Sequence, residues 1–102
     1  MSAYALFQLL SVTDPAGLAE YRAKVVPIVE QFGGCYIVRG GAWETIEGNH
    51  RPPPILIKFP DMDAARRWYY SKEYRPLRDL RHRSAKYDAV LLTGVELSAL
   101  DN

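Results

Sequence analysis

The sequence predicts an α+β fold with the element order βαββαβ, and three observations predict it. Four short runs rich in β-branched and aromatic residues alternate with two stretches whose apolar residues recur at three- and four-residue steps. Each helical stretch is announced by a proline beside an aspartate, Asp14-Pro15 and Pro60-Asp61, which is helix-start chemistry. The first and third strand runs are apolar on both faces, so the sheet needs cover on both sides. That order is the split βαβ pattern, whose outcome is a four-stranded antiparallel sheet with helices on one face, the ferredoxin-like arrangement.

Ala3 to Val12 places Tyr4, Leu6, Leu10 and Val12 on one side and Ala3, Ala5, Phe7 and Leu9 on the other, as in a central strand. Asp14 is set to cap the first helix, and Pro15 sits where its missing N–H does no harm. Leu18, Tyr21, Val25, Ile28, Val29 and Phe32 then make one apolar stripe, while Glu20, Arg22, Lys24 and Glu30 are placed for solvent. Pro27 is expected to kink this helix by removing an interior hydrogen bond. Gly33-Gly34 offers a left-handed stop.

Cys35 to Arg39 is the second strand, closed by Gly40-Gly41 and expected to resume through Trp43-Glu44-Thr45-Ile46 after a glycine bulge. Glu47 to Pro54 has the composition of a loop, and Ile55 to Phe59 is the third strand, closed by Pro60 with Asp61 as the next cap. Met62, Ala65, Trp68 and Tyr69 share a helical face; Ser71 marks a break, after which Leu77, Leu80 and Arg81 keep the spacing, with Pro76 in the first turn. Tyr87 to Val95 is the fourth strand. With the helices covering one face of the sheet, the other keeps apolar side chains from the inner strands, and a second copy of the chain is the simplest cover.

Length and composition fit one domain over residues 1–97 with a polar tail at 98–102: 102 residues, 48% of them hydrophobic, supply one core and not two. Thirteen basic and twelve acidic residues leave a formal charge of +1, which argues against a nucleic-acid-binding role. The basic run Arg75, Arg78, Arg81, His82, Arg83 and Lys86 is broken by Asp79 and wraps more than one helix face. No apolar run is long enough to cross a membrane, the start of the chain has no export-signal pattern, and one cysteine permits no internal disulfide, so a cytoplasmic protein is expected.

Five short motifs carry a family resemblance: Gly33-Gly34 leading into Val38-Arg39-Gly40-Gly41, then Glu47-Gly48, then Phe59-Pro60-Asp61, then Trp68-Tyr69-Tyr70-Ser71-Lys72-Glu73-Tyr74, then Leu80-Arg81. In this order, from Tyr4 to Val95, the chain resembles the family named domain of unknown function 1330, within the dimeric α/β-barrel superfamily. The resemblance implies a ferredoxin-like fold and a homodimer whose sheets pack face to face. It implies no activity; relatives in the wider superfamily include cofactor-free monooxygenases, haem-degrading enzymes and muconolactone isomerases with a pocket between sheet and helices. Cys35 departs from the family pattern, which has a larger polar residue such as arginine after the two glycines.

Among residues that carry chemistry, Arg39 ends an apolar strand where a guanidinium can hold a carboxylate or enolate, the alternative being an internal ion pair with Glu44 or Glu47. Arg81, flanked by Leu77 and Leu80, has a buried stem and either points its head into the same space or pairs with an acid. Trp68, Ser71 and Tyr74 cluster at the helix break and are read as pocket wall, against the alternatives of core for Trp68 and helix cap for Ser71. Tyr21 faces the stripe of the first helix and needs a partner for its hydroxyl. His50 is retained as an acid–base candidate. No metal spacing, P-loop or dinucleotide fingerprint is present, Cys35 is expected to be a small buried residue, and no cofactor is implied. The expectation is therefore a homodimeric domain that binds a small anionic or enolisable organic molecule, with a cofactor-free oxygenase or isomerase as the reaction class to try. The alternative is a non-enzymatic ligand-binding or structural dimer module.

Overall fold

Seven elements follow one another in the computed structural model, which describes residues 1–95: β1 (Ala3–Val12), α1 (Pro15–Gln31), β2 (Cys35–Val38), β3 (Ile55–Phe59), α2 (Met62–Tyr69), α3 (Arg75–Ser84) and β4 (Ala85–Thr93). The tail expected at 98–102 lies outside the described residues. The strands form one antiparallel sheet in the order β2-β3-β1-β4, which is the ferredoxin-like order, with β1 and β3 in the middle.

Local chemistry accounts for the element ends. The Asp14 carboxylate accepts from the backbone N–H of Gly17 at 3.1 Å, and Asp61 accepts from Ala64 N–H at 2.7 Å, so each cap satisfies a donor the helix cannot. α1 runs from Pro15 through Pro27 to Gln31 and stops where Gly33 takes φ of 82°, a conformation glycine adopts without strain. The second helical region is two helices: Ser71 turns the chain between α2 and α3, its Oγ donating to Trp68 O at 2.8 Å and accepting from Tyr74 N–H at 3.1 Å.

Two expectations about the second strand are corrected. β2 ends at Val38 and does not resume over Trp43–Ile46, because Gly40 and Gly41, at φ of 75° and 90°, turn the chain out of the extended conformation. Trp43 stacks on His50 instead, with ring centroids 5.8 Å apart, inside an exposed loop. Cys35 is exposed and not buried, because it pairs with Lys58 and so belongs to the face of the sheet away from the helices.

Alternation decides which face is the core. Ala3, Ala5 and Phe7 of β1 and Ile57 and Phe59 of β3 are buried against Leu18, Tyr21, Val25 and Val29 of α1 and Ala64, Ala65 and Trp68 of α2. Trp68 is the centre of this layer, 4.4 Å from the Tyr74 ring and 5.4 Å from Phe59 by centroid, with Phe7 meeting it edge-on. The opposite face carries Tyr4 and Leu6 of β1, Leu56 and Lys58 of β3, and Asp88, Val90 and Leu92 of β4; Val90 is 53% exposed.

Candidate functional site

Where β1 passes from Phe7 to Leu9, the layer between sheet and helices opens into a cleft of about 340 Å³. Its floor is Phe7, Leu9, Ile55 and Tyr87, all on the helix-bearing face of the sheet. Its rim is basic: Arg22 reaches it from α1 and Arg39 from the end of β2, with Pro52 and Pro53 opposite in the loop before β3. Phe7, Ile55 and Tyr87 also line a deeper hollow of about 20 Å³, closed by Tyr21, Tyr36 and Arg81. A water needs about 10–15 Å³ of such space, so the hollow has room for one water-sized group.

Arg81 is 3% exposed, and among the described residues no carboxylate stands within ion-pair distance of it. Its guanidinium lies 5.0 Å from the centroid of Phe7 and 5.4 Å from that of Tyr87, donates from Nε to Tyr74 Oη at 3.3 Å, and lies 3.4 Å from His82 Nε2 through Nη2. Ring contacts of this kind are worth about 2 kcal/mol when desolvated, whereas an unpaired ion taken out of water loses several kcal/mol of hydration. The rings ease the burial of the charge without neutralising it.

Tyr74 is fully buried, and among the described residues its hydroxyl meets only Arg81 Nε and Tyr21 Oη, the latter at 2.7 Å. Arg81 can only donate, so Tyr74 Oη accepts from it, and either phenol can be the donor in the bond between Tyr74 and Tyr21. A chain of bonds therefore links Arg81, Tyr74 and Tyr21, and Tyr21 lines the hollow. Burial pushes the Tyr21 hydroxyl far above its ordinary range, and the Tyr74 oxygen beside it adds to the effect. Burial also raises Tyr74 against the pull of Arg81, and pushes Tyr36 up to about 12 with Arg39 pulling the other way. All three are neutral at physiological pH, so each keeps its phenolic proton. Burial, followed by the charges of Arg81 and Arg78, lowers the pKa of His82, which keeps its ring neutral beside Arg81.

The residues singled out from the sequence divide into two groups. Arg39 lines the cleft and Arg81 and Tyr21 line the hollow, two spaces that share Phe7, Ile55 and Tyr87 as walls, and Tyr74 links Arg81 to Tyr21. Arg39 makes no ion pair with Glu44 or Glu47; its Nη2 donates to Arg22 O at 3.1 Å and its guanidinium lies 4.8 Å from the Tyr36 ring centroid. Trp68 and Ser71 line neither the cleft nor the hollow: Trp68 is buried in the core and Ser71 caps the turn between α2 and α3. His50 is in the exposed loop, stacked on Trp43 and away from Arg81. Sequence reasoning missed Tyr36 and Tyr87. Period-two alternation in β2 and β4 held the signal, since Tyr36 pairs with buried Ile57 and Tyr87 with Leu9.

A shallower groove of about 550 Å³ lies on the other side of Arg81, between Tyr69 and Tyr87, with His82 and Lys86 on its border. Among the described residues no group of three His, Cys, Asp or Glu side chains stands close enough to hold a metal ion, and no helix is long and apolar enough to cross a membrane.

Three solved structures share this architecture. The methylated RPA0582 protein, described elsewhere as a protein of unknown function from Rhodopseudomonas palustris, superposes with a TM-score of 0.72 at 15% identity, covering 94% of this chain and 82% of its own. SnoaB, a cofactor-independent oxygenase from Streptomyces nogalater, gives 0.62 at 16% identity over 93% and 94% of the two chains. An uncharacterised NIPSNAP domain protein from Burkholderia xenovorans gives 0.53 at 13% identity over 95% and 97%. At these identities the likeness is one of fold. No curated protein matches the chain. The family model described as domain of unknown function (DUF1330) matches residues 2–95, nearly the whole chain, and this chain belongs to that family.

Proposed function

We propose that this protein binds a small anionic organic molecule in the cleft between sheet and helices, with an anionic oxygen of the ligand taken up by Arg81 and the Tyr21 hydroxyl. The observation that carries the reading is the Arg81 guanidinium, buried with no carboxylate beside it among the described residues. A cation held this way gains most when an external anion supplies the missing charge. Because Tyr21 keeps its proton and lines the hollow beside Arg81, an enol or enolate oxygen fits the same position, and cofactor-free isomerisation or oxygenation is the class of reaction to assay. The likeness to SnoaB is compatible with this and carries no reaction across.

The test is calorimetric titration of small carboxylates into the wild-type protein and single variants. Arg81→Met should weaken binding by at least about tenfold, or ~1.4 kcal/mol, and Tyr21→Phe should weaken it less, while Lys86→Gln should leave it unchanged. Equal affinity in wild type and Arg81→Met defeats the reading. A loss in Lys86→Gln with none in Tyr21→Phe places the anion in the shallower groove and defeats the assignment to the hollow.

The second reading concerns assembly, and the face of the sheet away from the helices favours it. Leu6, Leu56, Val90 and Leu92 lie there together, and Lys58 and Asp88 add one charge of each sign, which a twofold axis can pair across two copies. The protein is accordingly a homodimer through this face, and Val90→Glu should shift its sedimentation toward monomer. A wild-type protein that sediments as a monomer at micromolar concentration sinks this reading and leaves the anion site untouched. The exposed thiol of Cys35 fits a reducing, cytoplasmic setting.

A further inference from the structure

Taken together, the cleft and the hollow that shares Phe7, Ile55 and Tyr87 with it carry arginines at their two ends and apolar side chains between. At the inner end stands Arg81; at the rim stand Arg39 and Arg22; the stretch that joins them is walled by Phe7, Ile55 and the Pro52-Pro53 pair. Tyr36 connects the two ends physically, because its ring carries Arg39 on one face at 4.8 Å and also lines the hollow with Arg81. None of the three guanidiniums is paired with a carboxylate among the described residues. Arg39 is held in place by the Arg22 carbonyl and the Tyr36 ring, and uses only Nη2 in a hydrogen bond, so its remaining N–H groups are free for a ligand.

From this arrangement we propose that the ligand is an organic dianion with an apolar spacer, one acid group placing a single oxygen in the hollow against Arg81 and Tyr21 and the other standing at the rim against Arg39 and Arg22. The inference rests on the anion-site reading above and narrows its ligand class. A monoanion satisfies one end and leaves the rim arginines to solvent. A nucleotide or other bulky polyanion suits the inner end poorly, since the one oxygen the hollow admits is surrounded by Phe7, Ile55, Ile57 and three tyrosines, with Arg81 as the single cation among its walls. The cleft volume, about 340 Å³, lies at the low end of the range of about 300–1,000 Å³ that small-molecule sites occupy. Two guanidiniums also give length discrimination, because a spacer that is too short cannot bridge them and one that is too long must buckle against Pro52 and Pro53.

The experiment compares matched pairs, adipate with hexanoate and terephthalate with benzoate, together with the straight-chain diacids from succinate to suberate, on the wild-type protein, Arg39→Gln, Arg22→Gln and Arg81→Met. The expected result is that at least one diacid binds the wild type tenfold or more tightly than its monoacid partner, with an optimum in the length series. Arg39→Gln should erase that advantage, bringing the affinities of each diacid and its monoacid partner together, and Arg81→Met should weaken both members of each pair. If the monoacids bind as tightly as the diacids, or if the advantage survives both Arg39→Gln and Arg22→Gln, the two-ended inference is overturned and the single-anion reading stands. If no acid of either kind binds, or if Arg81→Met binds them as well as wild type does, both fall together.

Discussion

Replacing Arg81 by methionine should leave the ligand-free protein as stable as the wild type or more so, because the native guanidinium is buried without a counter-charge. The side chain is 3% exposed, so nearly all of its hydration is lost on folding, a cost of several kcal/mol even after relaxation. Against that stand two ring contacts, at about 1–2 kcal/mol each, and a long hydrogen bond to Tyr74 that contributes about 1 kcal/mol. The opposing terms are of similar size, so removing the charge while keeping an unbranched apolar stem should change stability by between about zero and +2 kcal/mol. Near the midpoint that is a rise in Tm of up to roughly 8–16 °C for a domain of this length. Urea unfolding of the two proteins at neutral pH, followed by tryptophan fluorescence from the buried Trp68, reads the difference. A loss greater than about 2 kcal/mol would show Arg81 to be a structural support of the core, and the argument that its charge awaits a ligand would then fail.

Other consequences can be checked in the same way. Tyr21, Tyr36 and Tyr74 ionise above the ordinary value of 10.0 in the folded state, and Tyr36 only near 12, so their contribution to stability is complete below pH 10 and is lost as pH rises through the folded values. Alkaline titration of tyrosinate absorbance should show these three of the seven tyrosines lagging until the chain unfolds, and a single transition near pH 10 for all seven would contradict the burial assigned to them. Ser71→Ala removes both bonds of the turn between α2 and α3 and should cost about 1 kcal/mol in urea unfolding, with ligand affinity unchanged; a fall in affinity would return Ser71 to the site. Gly34→Ala places a methyl carbon 2.5 Å from Val29 Cγ1 and 2.7 Å from a Phe59 ring carbon, and should destabilise by about 1–3 kcal/mol.

The strands, both aspartate caps and the break at Ser71 were legible in the sequence because each depends on local chemistry: alternation, a carboxylate one turn before an amide, a proline in a first turn. Arg81 and Tyr21 were legible as candidates for the same reason, since each sits at helical spacing on an apolar stripe. Their link was not, because Tyr74 lies 53 positions from Tyr21 and only the packing of α3 on α1 brings the two hydroxyls together. Trp68 was read as wall because tryptophan beside tyrosine is common to pockets and cores, and a linear pattern does not tell which side of a helix meets more protein. The extension of β2 over Trp43 to Ile46 failed for another reason. β-propensity there is real, but two glycines at positive φ leave the segment with no neighbour to pair with, and Ile46 ends 85% exposed.

The turn that launches α1 is tied to the end of α3: Thr13 and Asp14 both donate backbone N–H groups to Ser84 O, at 2.8 and 2.9 Å. The helices meet so closely there that a methyl group on Gly17 would overlap Ser84 Oγ. Tyr21 lies about one turn beyond Gly17 and Arg81 about one turn before Ser84, so both ends of the hydrogen-bonded chain hang from this single clamp. The missing side chain of one glycine thus sets the gauge between phenol and cation. A bulkier residue there would act as a wedge, spreading the two helices and parting the phenols without touching either of them.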